Sequence, residues 1–260
     1  MLEPRTRAPV PGAALPRLLA RLAGVEPGQQ ARSPADVLGD WLDWQRAVAL
    51  SRALDDAPPG RDEDEVSVGA ASPVGGTDDP ADRAGAALDA DAAAECLRVR
   101  GALGEAIDAD ARDWTLPLHP RAGDDGTGAA AGAGAVLRHC QGLQRDMQSA
   151  TGRLRGELRE RLARRADGQA RLAAVDAVME GLLAPREHAL LVPVVPALVA
   201  RFERLHALHA DAAAPARVDT AGWRAAFRAE ARQLLSAELD LRFHPIEALL
   251  SALRSPGPDA

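Results

Sequence analysis

Apolar residues recur every three or four positions along most of this chain, and that spacing predicts helices. Leu15, Leu18, Leu19 and Leu22 mark a short amphipathic helix that follows Pro11-Gly12 and ends at Gly24. Ser33 has the chemistry of an N-cap, with Pro34 in the first helical position and Asp36 in the first turn. The helix they open is expected to run to about Leu54 and to stop before Pro58-Pro59. Along it Val37, Trp41, Trp44 and Val48 step by four, three and four, so both tryptophans stand on one apolar stripe.

The first helical segment therefore covers 13–57. Residues 58–86 hold too few large apolar side chains to bury, and are read as a disordered acidic linker. Helix is expected again over 87–121, with Cys96, Val99, Leu103 and Ile107 on one face. A glycine-rich loop over 122–135 has no Lys-Ser/Thr after it and is no phosphate loop.

Residues 136–254 are read as a long-helix bundle or hairpin, before a frayed tail at 255–260, and within them 136–183 is the longest periodic segment. Its first stripe is Cys140, Leu143, Met147, Ala150, Leu154, Leu158 and Leu162, resuming at Leu172, Val175, Met179 and Leu182. This is one long helix or two broken near Gly168. Pro185 fits the first turn of the next helix, and Pro193 and Pro196 kink or restart it. The last helix carries Trp223, Phe227, Leu234 and Leu235, and Pro245 breaks or kinks it before Ile246, Leu249, Leu250 and Leu253.

Composition sharpens the class. Aromatic residues make up only 3% of the 260 residues, so any core is built from Leu, Val and Ala. Ala and Leu lead the helix-propensity scale and strand formers are scarce, which makes the fold all-α. Every basic residue is arginine, and asparagine and tyrosine are missing too. Without lysine there is no P-loop or Schiff-base lysine, and without asparagine no Cys-His-Asn triad.

The net charge of −7 is uneven: 12 acids face only Arg61 and Arg83 between Asp55 and Glu95. The opposite bias lies in GRLRGELRERLARR, where Arg159, Arg161 and Arg165 are the candidate contacts to an anion or nucleic acid. That Arg-rich helix, 152–171, has no aromatic side chain to stack bases. Glu157–Arg161 and Glu160–Arg164 are spaced as i,i+4 pairs of a solvated face. Nucleic acid is the alternative reading, not the preferred one.

Glu203, His206 and His209 form the best metal-like spacing, Glu-x-x-His-x-x-His. The motif occurs once, near a helix C-terminus that itself favours histidine, so it reads as a solvated helix end. A metal-dependent helical enzyme is the second alternative. His139 and Cys140 are adjacent, about 100° apart on a helix, and make no dyad. Cys96 and Cys140 have no zinc spacing and read as small buried hydrophobes. The residues point to no catalytic centre and no cofactor.

Nothing at the N-terminus resembles a signal peptide, since Arg17 and Arg21 interrupt its apolar run. The uncharged run ALLVPVVPALVA is too short to span a bilayer and holds two prolines. A cytoplasmic protein with no membrane insertion is expected.

Three segments, WLDWQRAVALSRAL, LAAVDAVMEGLLAPREHALLVPVVPALVARFERL and LLSAELDLRFHPIEALLSAL, together resemble an uncharacterised proteobacterial family, domain of unknown function 3348. The resemblance covers nearly the whole chain and carries no activity onto any residue. Members of that family look like genomic neighbours of envelope proteins with OmpA-like or proton-channel-like domains, which implies a component of an envelope-linked assembly. The combined expectation is a non-catalytic helical protein that binds a protein partner or itself. Its interface candidates are Trp41, Trp44, Leu154, Leu158, Leu162, Trp223 and Phe227.

Overall fold

The computed structural model describes residues 14–24, 44–55, 80–113, 127–165, 167–210 and 222–255. Among them every regular element is helical: α1 (Ala14–Ala23), α2 (Trp44–Asp55), α3 (Pro80–Asp113), α4 (Thr127–Ala163), α5 (Asp167–Leu191), α6 (Val194–Ala210) and α7 (Gly222–Arg254). The fold is all-α, as the periodicity predicts. The helices divide between two units. The first holds α1, 99–113 of α3, 127–151 of α4, 185–191 of α5, all of α6 and 222–244 of α7; the second holds α2 and the remaining parts.

In the first unit α7 is the central helix. Ala237, Glu238 and Leu239 are consecutive and all buried, so more than half of the helix circumference is covered there, while Ala229, Arg232, Gln233 and Asp240 mark the face left to solvent. Arg100 of α3 donates to Asp240 at 2.7 Å and Asp108 lies 3.7 Å from Arg232, so α3 and α7 run antiparallel. On α6, Phe202 meets Phe227 edge-on at 5.5 Å, His209 meets Trp223 at 5.9 Å, and Arg201 donates twice to Glu230 at 2.7 and 2.8 Å. That order is antiparallel as well. α1 joins through Arg21, which donates to Gln233, and ends where Gly24 takes a φ of 70°.

In the second unit α3 and α4 are also antiparallel. Glu95 pairs with Arg153, Leu88 O accepts from Arg161 at 2.7 Å, and Asp89 pairs with Arg165. Between them Ala92, Cys96, Leu154, Leu158 and Leu162 are buried. A turn at 164–165 folds α5 back on α4, and Arg155 clasps Asp176 with two bonds of 2.9 and 2.7 Å. Gln169 donates to Ala252 O and Ser255 O, satisfying carbonyls that the end of α7 leaves without partners.

Several boundaries differ from the sequence expectation. Residues 80–86, assigned to the acidic linker, are the first turns of α3: Pro80 suits a first helical position, and Asp82 complements the helix dipole. Residues 58–79 lie outside the described residues. Residues 127–135, assigned to the glycine-rich loop, belong to α4. Their alanines are strong helix formers, and Gly132 and Ala133 are buried, so packing outweighs the glycine penalty. The periodic segment 136–183 is two helices, broken near Gly168 as one of the two expectations has it, with α4 ending at Ala163 and α5 opening at Asp167.

On α4 the buried position is Thr151 rather than Ala150; its hydroxyl donates to Met147 O at 2.7 Å and so needs no outside partner. Leu172, placed on the apolar stripe of α5, is 49% exposed, and Gln169 and Ala173 are buried instead. Pro185 does not open a helix: α5 runs through it, anchored by buried Leu182 and Leu191 on either side. Pro245 likewise stands inside α7, flanked by buried Phe243 and Ile246. A proline in a helix interior costs about 3 kcal/mol, which packing on both sides can offset.

The restart at Pro193 is as expected, since α5 ends at Leu191 and α6 begins at Val194. Within Gly168–His209 an 18-residue window reaches a mean hydropathy of 1.4, a longer apolar segment than the uncharged run alone suggests and long enough to cross a bilayer. Core helices pass the same test. Here 28% of the window is buried, Leu191, Val194, Val195 and Leu198 among it, and a turn at 192–193 interrupts the stretch.

Burial separates structural from surface leucines. Leu158→Ala is expected to destabilise the protein by about 3 kcal/mol. Leu97→Ala, at a position 72% exposed, is expected to shift stability by less than about 0.5 kcal/mol. Urea unfolding of the two variants checks both values.

Candidate functional site

The segment LLSAELDLRF of α7 carries the least expected group in the molecule, a glutamate with no exposed surface. Glu238 is held by two other side chains. Gln144 Nε2 donates to its Oε2 at 2.9 Å, and Arg242 donates to its Oε1 through Nε at 3.0 Å and Nη2 at 2.8 Å. Arg242 lies four residues along the same helix, the spacing at which side chains meet. Its Nη1 stands 3.6 Å from Glu187 of α5. Gln144 also reaches Leu191 O, at 3.4 Å. These bonds tie α4, α5 and α7 together around one carboxylate.

Arg242 forms part of the wall of a pocket of about 250 Å³. On α4 the wall is Gln141, Gln144, Arg145 and Gln148, which follow i, i+3, i+4, i+7 and so share one helix face. The end of α5 adds His188 and Leu191, and the turn beyond it adds Val192. Arg145 donates through Nε to Gln141 O at 3.3 Å. The wall holds hydrogen-bond donors and two guanidinium groups, with no carboxylate among its lining residues.

Sequence reasoning did not single out this site. The available signal was the pair Glu238 and Arg242 set among the leucines of α7, a charged couple on a helix whose other faces are apolar. Periodicity alone treats such a pair as surface.

The interface candidates take different places. Leu154, Leu158 and Leu162 are 1%, 2% and 0% exposed and Phe227 is 2% exposed, so the chain covers this stripe itself and offers none of it to a partner. Trp223 is half-buried, sandwiched with Phe202, His206 and His209 at ring distances of 5.8, 6.1 and 5.9 Å. Trp41 lies outside the described residues; Trp44 opens α2, its side chain likewise undescribed.

The metal-like spacing does not assemble. Glu203 is exposed while His206 and His209 lean on Trp223, and no cluster of metal-binding side chains occurs among the described residues. Helical periodicity put the three on neighbouring positions, but aromatic packing turns the histidines onto α7.

The arginine candidates are engaged within their own unit. Arg159 binds Glu180 at 2.7 Å and lies 3.7 Å from Asp176, Arg161 donates to Leu88 O, and Arg165 binds Asp89 and Gly85 O. Glu160 pairs with Arg164 as expected, but Glu157 pairs with Arg153 rather than Arg161. Cys96 packs among them. Burial first, then the charge of Glu157, pushes its thiol above the usual range, while Arg161 and Arg153 pull the other way. A thiol so placed stays protonated and unreactive.

Two predictions follow from these contacts. Arg242→Met strands a buried carboxylate and is expected to cost about 3–5 kcal/mol, most of which Glu238→Leu in the same chain restores. A double-mutant cycle in urea reads the coupling. Replacing Arg159, Arg161 and Arg165 together by Ala is expected to lower the thermal midpoint without creating or removing a salt-dependent mobility shift with nucleic acid. A shift present in the wild type and lost in the triple variant reinstates the nucleic-acid reading.

No curated protein and no solved structure matches the chain. The family described as a protein of unknown function, DUF3348, matches residues 1–255, and the chain belongs to it.

Proposed function

For this member of DUF3348 we propose a non-catalytic role, as a helical interaction protein that docks another protein on the outward face of α3. One observation carries the reading. Ala87, Ala90, Ala94 and Leu97 are all exposed and follow three, four and three residue steps. At 3.6 residues per turn they form a narrow uncharged track. It lies nearly opposite the buried Ala92, Cys96, Val99, Leu103 and Ile107. A helix with an apolar stripe on each side has one stripe to spare, and small residues beside a leucine admit the close approach of a second helix.

The charge pattern supports the same reading. The arginines that invite nucleic acid are matched by carboxylates and carbonyls of the chain itself, leaving apolar surface rather than cationic surface as the distinguishing feature. Cytoplasmic residence belongs to the proposal: Cys96 and Cys140 are both buried thiols inside helices, which suits a reducing compartment. So does the absence of membrane insertion, supported by the turn at 192–193 that interrupts the apolar window of α5 and α6. The envelope link implied by the sequence resemblance directs the search for the partner.

Leu97→Asp is the test. Capture from the native host with wild-type bait is expected to retain a protein that the variant loses, while circular dichroism shows equal helix content. If the occupant is a second copy, light scattering at micromolar concentration shows a mass that rises with concentration for the wild type alone. An identical set of captured proteins and a monomer in both cases ends the proposal.

A further inference from the structure

We infer that the pocket between α4, the end of α5 and α7 in the first unit is a binding site for a small organic carboxylate, with Arg242 and Arg145 as its anion-recognising groups. This site is separate from the α3 track and needs no partner protein.

The argument begins with the cost of Glu238. A buried ion pair contributes little over an apolar pair of the same size, because both charges must leave water. Position 238 lies among Leu234, Leu235, Ala237 and Leu239, where a leucine would pack without that penalty. What the carboxylate does is hold Arg242. Two bonds from Nε and Nη2 to one oxygen fix the plane of the guanidinium, whose side chain is 10% exposed. With Nε and Nη2 turned to Glu238, the end of the fork, Nη1 and the second Nη2 hydrogen, is what a carboxylate in the pocket can meet, held in place at small ordering cost.

The wall selects in the same direction. Arg145 adds a second guanidinium, and Gln141 and Gln148 supply amides that can donate to a carboxylate, whereas Gln144 Nε2 is already engaged by Glu238 and Leu191 O. His188 stands at the rim. Glu238 is neutralised by its pair with Arg242 and Glu187, 36% exposed, lies 3.6 Å from Arg242 Nη1, so Arg145 carries the net positive charge of the wall. Leu191 and Val192 form an apolar side. The volume of about 250 Å³ equals that of roughly eight water molecules, enough for a short-chain acid but not for a nucleotide.

Propanoate is the probe, with inorganic phosphate and propanamide as comparisons, titrated into the full chain by calorimetry and by the side-chain amide resonances of glutamine. Propanoate is expected to bind saturably. Arg145→Glu and Gln148→Glu, both at exposed positions that leave the Glu238 network intact, are expected to weaken it roughly tenfold or more, the loss of one charge-assisted hydrogen bond. Leu97→Asp is expected to bind propanoate as the wild type does, so that failure here and failure of the docking proposal are told apart. Absence of saturable propanoate binding overturns the inference, as does equal affinity in the two glutamate variants. Phosphate or propanamide binding as tightly as propanoate overturns the carboxylate assignment.

Discussion

The first unit is organised around a carboxylate that has no access to water. Glu238 cannot be buried alone, since an unpaired charge in the interior costs several kcal/mol. Three elements must therefore converge on it: Gln144 from α4, Arg242 from its own helix, and the end of α5 through Leu191 O and Glu187. The directional bonds specify register where leucine packing alone would tolerate sliding. α7 can then serve as the central helix of the unit, with α1, α3 and α6 attached to it by exposed or half-buried pairs.

Arginine is the only basic residue, and the second unit shows what that allows. Arg155 and Arg159 face Asp176 and Glu180, four charges across the α4–α5 turn, with Arg155 only 11% exposed. A guanidinium offers five donors in a fixed plane and sheds water more readily than an ammonium, so it can bridge two carboxylates in a half-buried setting. The same residues read as a cationic patch in one dimension form an ion network once α5 folds back. Charge counted along a chain is not charge displayed on a surface.

α3 illustrates the converse. Its inner stripe is what a bundle helix needs, whereas its outer track of alanines and Leu97 satisfies nothing within its own unit. Alanine is so common here that the outer track carries little signal in the sequence, where it merges with general helix propensity. Exposure distinguishes the two.

From the amino-acid order alone came the all-α class, the inner stripes of α3 and α4, the stop at Gly24 and the restart at Pro193, because these depend on local periodicity and backbone chemistry. Tertiary structure decided the rest. It carried α5 and α7 through Pro185 and Pro245, since burial on both sides outweighs one lost hydrogen bond. It drew the glycine-rich start of α4 into a helix and exchanged Ala150 for Thr151 at a buried position. It turned His206 and His209 toward Trp223 and away from any shared ligand. Above all it buried Glu238. A charged pair four residues apart looks the same in sequence whether it faces solvent or core, and only the arrival of Gln144 from 94 positions away settles which.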